Sequence, residues 1–532
     1  MKCSVIIPLG PGHHAYIEDS KQSIREAITQ SKGPFDQIST IIINDLEGKI
    51  GRSNARNQGI KQAKADQADW IFFLDADDII MKNVFESFAP YEKDYDAVWG
   101  NILIQQPHQR QNNQASHIGQ LITIHYIEEI LLFEPFITLQ IGHFIRTDLA
   151  LDNLFSSYLD AGEDFEYYLK VWTKYKCIKI KDIFFMNRVG FSSIGPRAAT
   201  GADWLHATRH ILKSYRVKLG INHVNTALIE LTNQKVIEYA RYIKENHISD
   251  PNNFIHLKKL FPYKGYMDVS LKTCPTFVMI THNDDLVLNR LLWIGDYRLT
   301  SFLIWSKLAK HAKRIFDIGA YTGIFSLVAA LSNLNSQIYC FEPLTRNYAR
   351  IIENIFLNHV TNIHVYCQCV THSDEDQHFY IYEDSSDLPL INSTRNHSQT
   401  MINSSKIKSI SLNTFCKEND CYPDLIAIDT SGAEIDVLQG MIDIIPISQP
   451  DFIVSLFDQE TADFVTQFFQ PFHYYFYDYC EDNPYLNQID VIEAKGDDLK
   501  KNIFISTKPI DTLKRILSSS KNQTNLSPIQ EE

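Results

Sequence analysis

Short apolar runs, largely β-branched and uninterrupted by polar positions, recur between amphipathic stretches of this chain, and few patterns restrict a fold so strongly. A strand that is apolar on both faces must be covered on both, and a parallel sheet flanked by helices does that. SVIIPL (Ser4–Leu9), STIIIND (Ser39–Asp45) and WIFFLD (Trp70–Asp75) are such strands. Between them lie YIEDSKQSIREAITQS, with Ile17, Ile24 and Ile28 at helical spacing, and a second helix candidate, NARNQGIKQAKA. Strand, helix, strand, helix, strand reads as α/β.

The alternation resumes near residue 263. RIFDIGAYTGIFSLVAALS is strand, glycine turn and helix; SQIYCFEPL and TRNYARIIENIFLN are the next strand and helix, and PDLIAIDTSG and PDFIVSLFD are later strands. Residues 201–262 are different, consisting of long helical patterns such as DWLHATRHILKSYRVKL. The expected organisation is an α/β domain over 1–200, a helical connector over 201–262, a second α/β domain over 263–512 and a polar, disordered tail over 513–532. The two α/β halves share no motif.

A chain of 532 residues exceeds one ordinary domain, and its net charge of −14 without a long basic run argues against a nucleic-acid binder. Nine cysteines, an odd number with no CxxC pair, read as free thiols of a reducing cytosol. The N-terminus enters CSVIIPLG without a signal-peptide pattern, and no apolar run approaches the roughly 20 residues of a membrane span. A soluble, cytoplasmic protein is expected.

The WIFFLDADD stretch places Asp75, Asp77 and Asp78 where a buried strand reaches the sheet edge. Ligands of open parallel sheets bind outside the carboxyl ends of the strands. Neighbouring carboxylates raise each other's pKa unless a cation lies between them, and Mg²⁺ or Mn²⁺ shared with substrate phosphate is the usual solution. Asn44 and Asp45 end the preceding strand, Arg52 and Arg56 supply cations, and Glu163 and Asp164 open an amphipathic helix after a glycine. A carboxylate there can take a proton from an attacking hydroxyl.

In order and spacing, SVIIP, IIIND, ARNQGI, FLDADD and GEDFEYYLKVW resemble family 2 glycosyltransferases of the GT-A fold. The resemblance implies inverting transfer from a nucleotide-diphosphate sugar. Asp45 and Asp75 would bind the donor at its nucleoside and at its ribose or sugar, alongside the cation Arg56; Asp77 would bind the metal, and Asp164 would be the general base. Asn44 stands where the family commonly has a second aspartate, which leaves base preference open.

In the second half, IFDIGAYTG sets Asp317, Gly319 and Gly323 between strand and helix, and Glu342 ends the next strand. The Gly-x-x-x-Gly spacing after an acid suits S-adenosylmethionine better than a dinucleotide pyrophosphate. FDIGAYTGIFSL, CFEPLTRNYARIIENIFLN and DLIAIDTSGAEIDVLQGM resemble FkbM-type methyltransferases. The resemblance implies a Rossmann-like domain making an O-methyl ether, with Asp317, Gly319, Gly323 and Glu342 on the cofactor and Asp429 and Glu434 at the methyl-transfer site. Ala427 and Ser431 replace the family's usual lysine and first glutamate.

Together these imply a bifunctional enzyme of surface-glycan biosynthesis acting on a glycan or lipid-linked glycan, at the inner face of a membrane if the acceptor is lipid-linked. Two alternatives stay open: a glycosyltransferase with a non-catalytic second domain, and a non-catalytic scaffold. The aromatic run FHYYFYDYC reads as a strand with one face in the core or as a surface that stacks on sugar rings, His13 and His14 as loop residues or ligands, and His282 as a structural histidine or a methylation base.

Overall fold

The computed structural model describes residues 1–105, 121–159, 161–188, 201–220, 226–246, 254–271, 273–295, 298–381, 388, 392–393, 403–456, 458–481, 483–493 and 501–518. The chain divides into two compact units, Met1–Pro262 and Tyr263–Glu532.

The first unit is built on a seven-stranded sheet. Across it lie Gln37–Asn44, Lys2–Leu9, Trp70–Phe73, His143–Arg146, Ala97–Gln105, Cys177–Arg188 and Ile79–Ile80. The first three strands are parallel, as the continuous β-branched runs require, and His143–Arg146 runs antiparallel to both of its neighbours. An aromatic core fixes this crossover. The Phe144 ring lies 4.2 Å from Phe88, 4.7 Å from Phe72 and 5.5 Å from Phe184, all fully buried. The parallel strands end at Asn44 and Phe73, so Asp45 and Asp75 leave the sheet at the same edge.

Residues 201–262, read from sequence as a connector, are three helices (Gly201–Lys218, Thr226–Glu245 and Phe254–Leu260) that belong to the first unit. Their apolar faces bury Leu212, Val236, Tyr239, Ile243 and Leu257. Lys235 on the second of them is itself buried, 3.1 Å from the fully buried Glu129. A stretch that hides this much apolar surface and one end of a buried ion pair packs as part of a domain.

The second unit carries an eight-stranded sheet in the order Ile363–Tyr366, Gln337–Phe341, Arg314–Ile318, Leu425–Ile428, Asp451–Leu456, Lys501–Ser506, Tyr475–Cys480 and Asn483–Ile489. The first five strands are parallel and the last three form antiparallel pairings. The aromatic run is the Tyr475–Cys480 strand, burying Phe476, Tyr477 and Tyr479 and exposing Tyr475. A helix over Ile510–Ser518 continues past residue 512 and buries Leu513, so the folded chain runs beyond the boundary read from composition. Of the expected disordered tail, residues 519–532 lie outside the described residues. Among the described residues no helix is long and apolar enough to cross a membrane.

Phe144→Ala is expected to cost the first unit about 3–5 kcal/mol, the usual range for removing a fully buried phenyl ring. Chemical denaturation followed by near-UV circular dichroism checks this.

Candidate functional site

In the first unit the helix Arg52–Ala65 turns Arg56 into the protein, where its side chain is 3% exposed. Nη2 donates to Asp75 Oδ1 at 2.8 Å and Nη1 donates to Glu163 Oε1 at 3.1 Å. The guanidinium lies 5.3 Å from the centre of the Phe155 ring. That ring is held in place because Asn57 exchanges two hydrogen bonds of 2.9 Å with the Phe155 backbone, and because it stacks on Tyr167 at 4.0 Å. Burial alone would favour the neutral form of Arg56, but the surrounding carboxylates outweigh it and hold the guanidinium charged. One buried cation thus ties the acidic turn after Trp70–Phe73 to the helix Glu163–Trp172.

Asp164 follows Glu163. Its Oδ1 accepts from its neighbour's backbone, Phe165 N, at 2.7 Å and from the Trp204 indole Nε1 at 2.9 Å. Burial and the adjacent Glu163 push the Asp164 carboxyl up to about 6, against the opposing pull of Arg56 and these hydrogen bonds. Asp77 is also pushed up to about 6, by burial and by Asp75, with His13 opposing. His13 is a partly buried residue whose Nε2 lies 4.0 Å from Asp77 Oδ2, too far for a hydrogen bond, and has no hydrogen-bond partner among the described residues. His14 is exposed.

Asp77 presents an oxygen donor of the kind that a hard divalent cation takes together with phosphate and water, and the unpartnered His13 nitrogen lies beside it. Among the described residues no cluster of three or more such side chains forms a complete metal centre. Asp78 is fully buried and accepts from Asn187 Nδ2 at 3.1 Å, and burial beside two other acids raises its carboxyl well above the usual range. It is therefore part of the turn's framework.

Asp45, expected at the nucleoside, is engaged locally. Its Oδ1 accepts from Ile50 N at 2.9 Å and its Oδ2 from Gly51 N at 2.7 Å. These bonds close the loop that leads into the Arg52–Ala65 helix, on which Arg56 lies.

The second unit holds a cleft of about 930 Å³, its solvent mouth included, over the carboxyl ends of the parallel strands. Asp317, Gly319, Glu342 and Asp429 line it together, as do Ala427 and Ser431. Gly319 has φ +81°, and a Cβ there would sit 2.2 Å from the Asp429 carbonyl oxygen, so the turn closes only around glycine. Gly323, φ +87°, is the N-cap of the helix Ile324–Ser332. Asp317 is buried and accepts from Ser326 Oγ at 2.6 Å, and burial pushes its carboxyl up to about 6. Glu342 accepts from Tyr321 N at 2.9 Å through Oε2 and from Leu344 N at 3.0 Å through Oε1. Burial still pushes it up to about 8.

Asp429 Oδ2 accepts from Arg298 Nη1 at 2.6 Å, and Arg298 Nη2 donates to Ser455 Oγ at 3.3 Å. Glu434 does not line the cleft. It is fully buried and accepts from Thr430 N at 3.0 Å and Gly432 N at 2.9 Å, holding the turn in which Ser431 adopts φ +54°. His282 is exposed and also lies off the cleft lining.

Sequence reasoning missed Trp204 and Arg298. Trp204, Ala207, Thr208 and Ile211 share one helical face, a spacing that announces packing without naming what it packs on. Arg298 is the one cation within WIGDYRLTSFLIW, an apolar setting where a charge needs a partner.

Residues 18–150 match the profile of Glycosyl transferase family 2, and residues 317–479 match that of the Methyltransferase FkbM domain. Among solved structures, S. aureus TarS 1–349 in complex with UDP-GlcNAc is 17% identical over 48% of this chain and 76% of that one, with a TM-score of 0.31. Methyltransferase FkbM from Methylobacillus flagellatus KT is 13% identical over 37% of this chain and 43% of its own, with a TM-score of 0.24. A SAM-dependent methyltransferase from Agrobacterium tumefaciens is 11% identical over 47% and 73%, with a TM-score of 0.27. No curated protein matches the chain.

Arg56→Ala would strip the buried Glu163 of its nearest cation. A loss of about 3 kcal/mol is expected, since a buried charge without its partner is strongly destabilising. Thermal unfolding of the variant reads it.

Proposed function

Because the chain joins a glycosyl transferase family 2 domain to an FkbM methyltransferase domain, we propose that it is a bifunctional enzyme of surface-glycan biosynthesis. Its first unit transfers a sugar, with inversion, from a nucleotide-diphosphate donor; its second methylates a glycan hydroxyl with S-adenosylmethionine. The observation that carries this reading is the cluster in which Arg56 joins Asp75 to Glu163. It brings the strand-edge acids and the helix bearing Asp164 to one place.

Asp75, held by Arg56, meets the ribose or sugar of the donor. Asp77 would hold Mg²⁺ or Mn²⁺, whose charge would offset that of the departing diphosphate. Asp164 accepts the proton of the acceptor hydroxyl while that oxygen bonds to the anomeric carbon and the bond from this carbon to the diphosphate oxygen breaks. A carboxyl near 6 suits the task, being largely ionised at neutral pH yet more basic than an ordinary aspartate. Asp45 serves the donor site by shaping the loop before Arg56.

In the second unit the turn from Asp317 through Gly319 to Gly323 and the carboxylate of Glu342 cradle S-adenosylmethionine, which supplies the methyl group. Asp429, fixed by Arg298, lies at the reaction edge, and Glu434 supports the turn beside it. The acceptor is a glycan, free or lipid-linked. A lipid-linked acceptor would bring a cytoplasmic chain to the inner membrane face.

One observation favours a second reading, in which the second unit binds the cofactor without turnover: Asp429 and Glu434 are both engaged by neighbours, and Ala427 and Ser431 add no acid or base.

Asp164→Asn should abolish sugar transfer, scored by product mass, while donor affinity in calorimetry stays within about twofold of wild type. Retained transfer would remove Asp164 as the base. In the second unit, Glu342 keeps its proton up to about pH 8, whereas ribose hydroxyls donate to its ionised form. Binding S-adenosylhomocysteine should then release a proton and tighten roughly tenfold as pH rises from near neutral to above 8. An affinity flat across that range would mean that the ligand does not use ionised Glu342.

A further inference from the structure

The helix Gly201–Lys218, like Asp164 itself, lies outside the residues that match the glycosyltransferase profile, and it reaches this acid, proposed as the base. Trp204 donates its indole N–H to Asp164 Oδ1 at 2.9 Å across a separation of 40 residues, and its ring meets the fully buried Phe165 edge-on at 6.4 Å. The helix approaches at Gly162, the N-cap of Glu163–Trp172, where φ is +75° and a Cβ would come within 3.2 Å of Ala207 and Ile211. Both hydrogen bonds to the Asp164 carboxylate among the described residues, from Phe165 N and from Trp204, fall on Oδ1, and none falls on Oδ2.

We infer that Trp204 is a positioning residue for sugar transfer: it fixes the rotation of the Asp164 carboxylate and occupies Oδ1, so that Oδ2 is the oxygen presented to the acceptor hydroxyl. The inference rests on the base assignment made above for Asp164. It extends the catalytic unit into the helices that follow residue 200. The groups facing Asp164 are Glu163, which disfavours its charge, Arg56, which favours it, the Tyr168 phenol and the Trp204 indole.

Two titrations of the full chain test this without any donor. With aspartate carboxyl carbons labelled with ¹³C and the Asp164 signal assigned from Asp164→Asn, Trp204→Phe keeps an aromatic ring against Phe165 but removes the N–H. The Asp164 midpoint should rise by about one pH unit, the loss expected for one hydrogen bond to a carboxylate. In wild type, the Trp204 indole ¹H–¹⁵N signal should titrate with the same midpoint as the Asp164 carbon, which covers the case in which Trp204→Phe fails to fold. An unshifted midpoint in a folded variant, or an indole signal indifferent to Asp164 ionisation, overturns the inference. Failure of the base assignment is read separately, as sugar transfer surviving Asp164→Asn.

Discussion

One buried guanidinium holds the first unit's site together. Arg56 carries its charge into a region closed by Phe155, Tyr167 and Tyr168, and a charge there persists only if carboxylates surround it. Asp75 and Glu163 do so at different guanidinium nitrogens, one from the turn after a parallel strand, the other from the first turn of a helix. The same arrangement sets the acid chemistry around it. Glu163 neutralises Arg56 but lies next to Asp164, so Asp164 feels both an unfavourable neighbour and a favourable cation. Burial, the largest influence, joins Glu163 in outweighing Arg56, and the carboxyl is pushed up to about 6.

The second unit solves a similar problem with backbone instead of a cation. Glu342 has no cation among the groups that set its pKa, and its two oxygens rest on the Tyr321 and Leu344 amides. Amide dipoles stabilise the carboxylate less than a guanidinium does, and burial keeps the proton on up to about pH 8. Asp429 lies nearer the first solution, with Arg298 held between it and Ser455. In both units an acid at the end of a parallel strand leaves the sheet, backed by a guanidinium at Asp75 and Asp429 and by backbone amides at Glu342.

Two expected site residues also hold the structure together locally. Asp45 closes the loop ahead of Arg56, and Glu434 closes the turn through Ser431. In each case the acid stands within six residues of the amides it accepts from. Short acid-to-backbone reach is a common way to stabilise a tight turn, and it is indistinguishable in sequence from an acid aimed at a ligand. Which neighbour the helical stretch over 201–262 packs with was hidden for a related reason. An amphipathic pattern shows that a face is buried, and the partner of that face lies elsewhere in the chain.

What the sequence alone determined was local and periodic. Two sets of parallel strands, the glycine turn at 319–323 and the acids at strand ends were legible because a period of two or 3.6 residues and the steric needs of glycine act within a few positions. Tertiary structure decided which acids share a partner and which distant neighbours tune them. Trp204 meets Asp164 across 40 residues and Arg298 meets Asp429 across 131. Such contacts depend on how helices and strands pack, a relation between distant surfaces that no local spacing encodes.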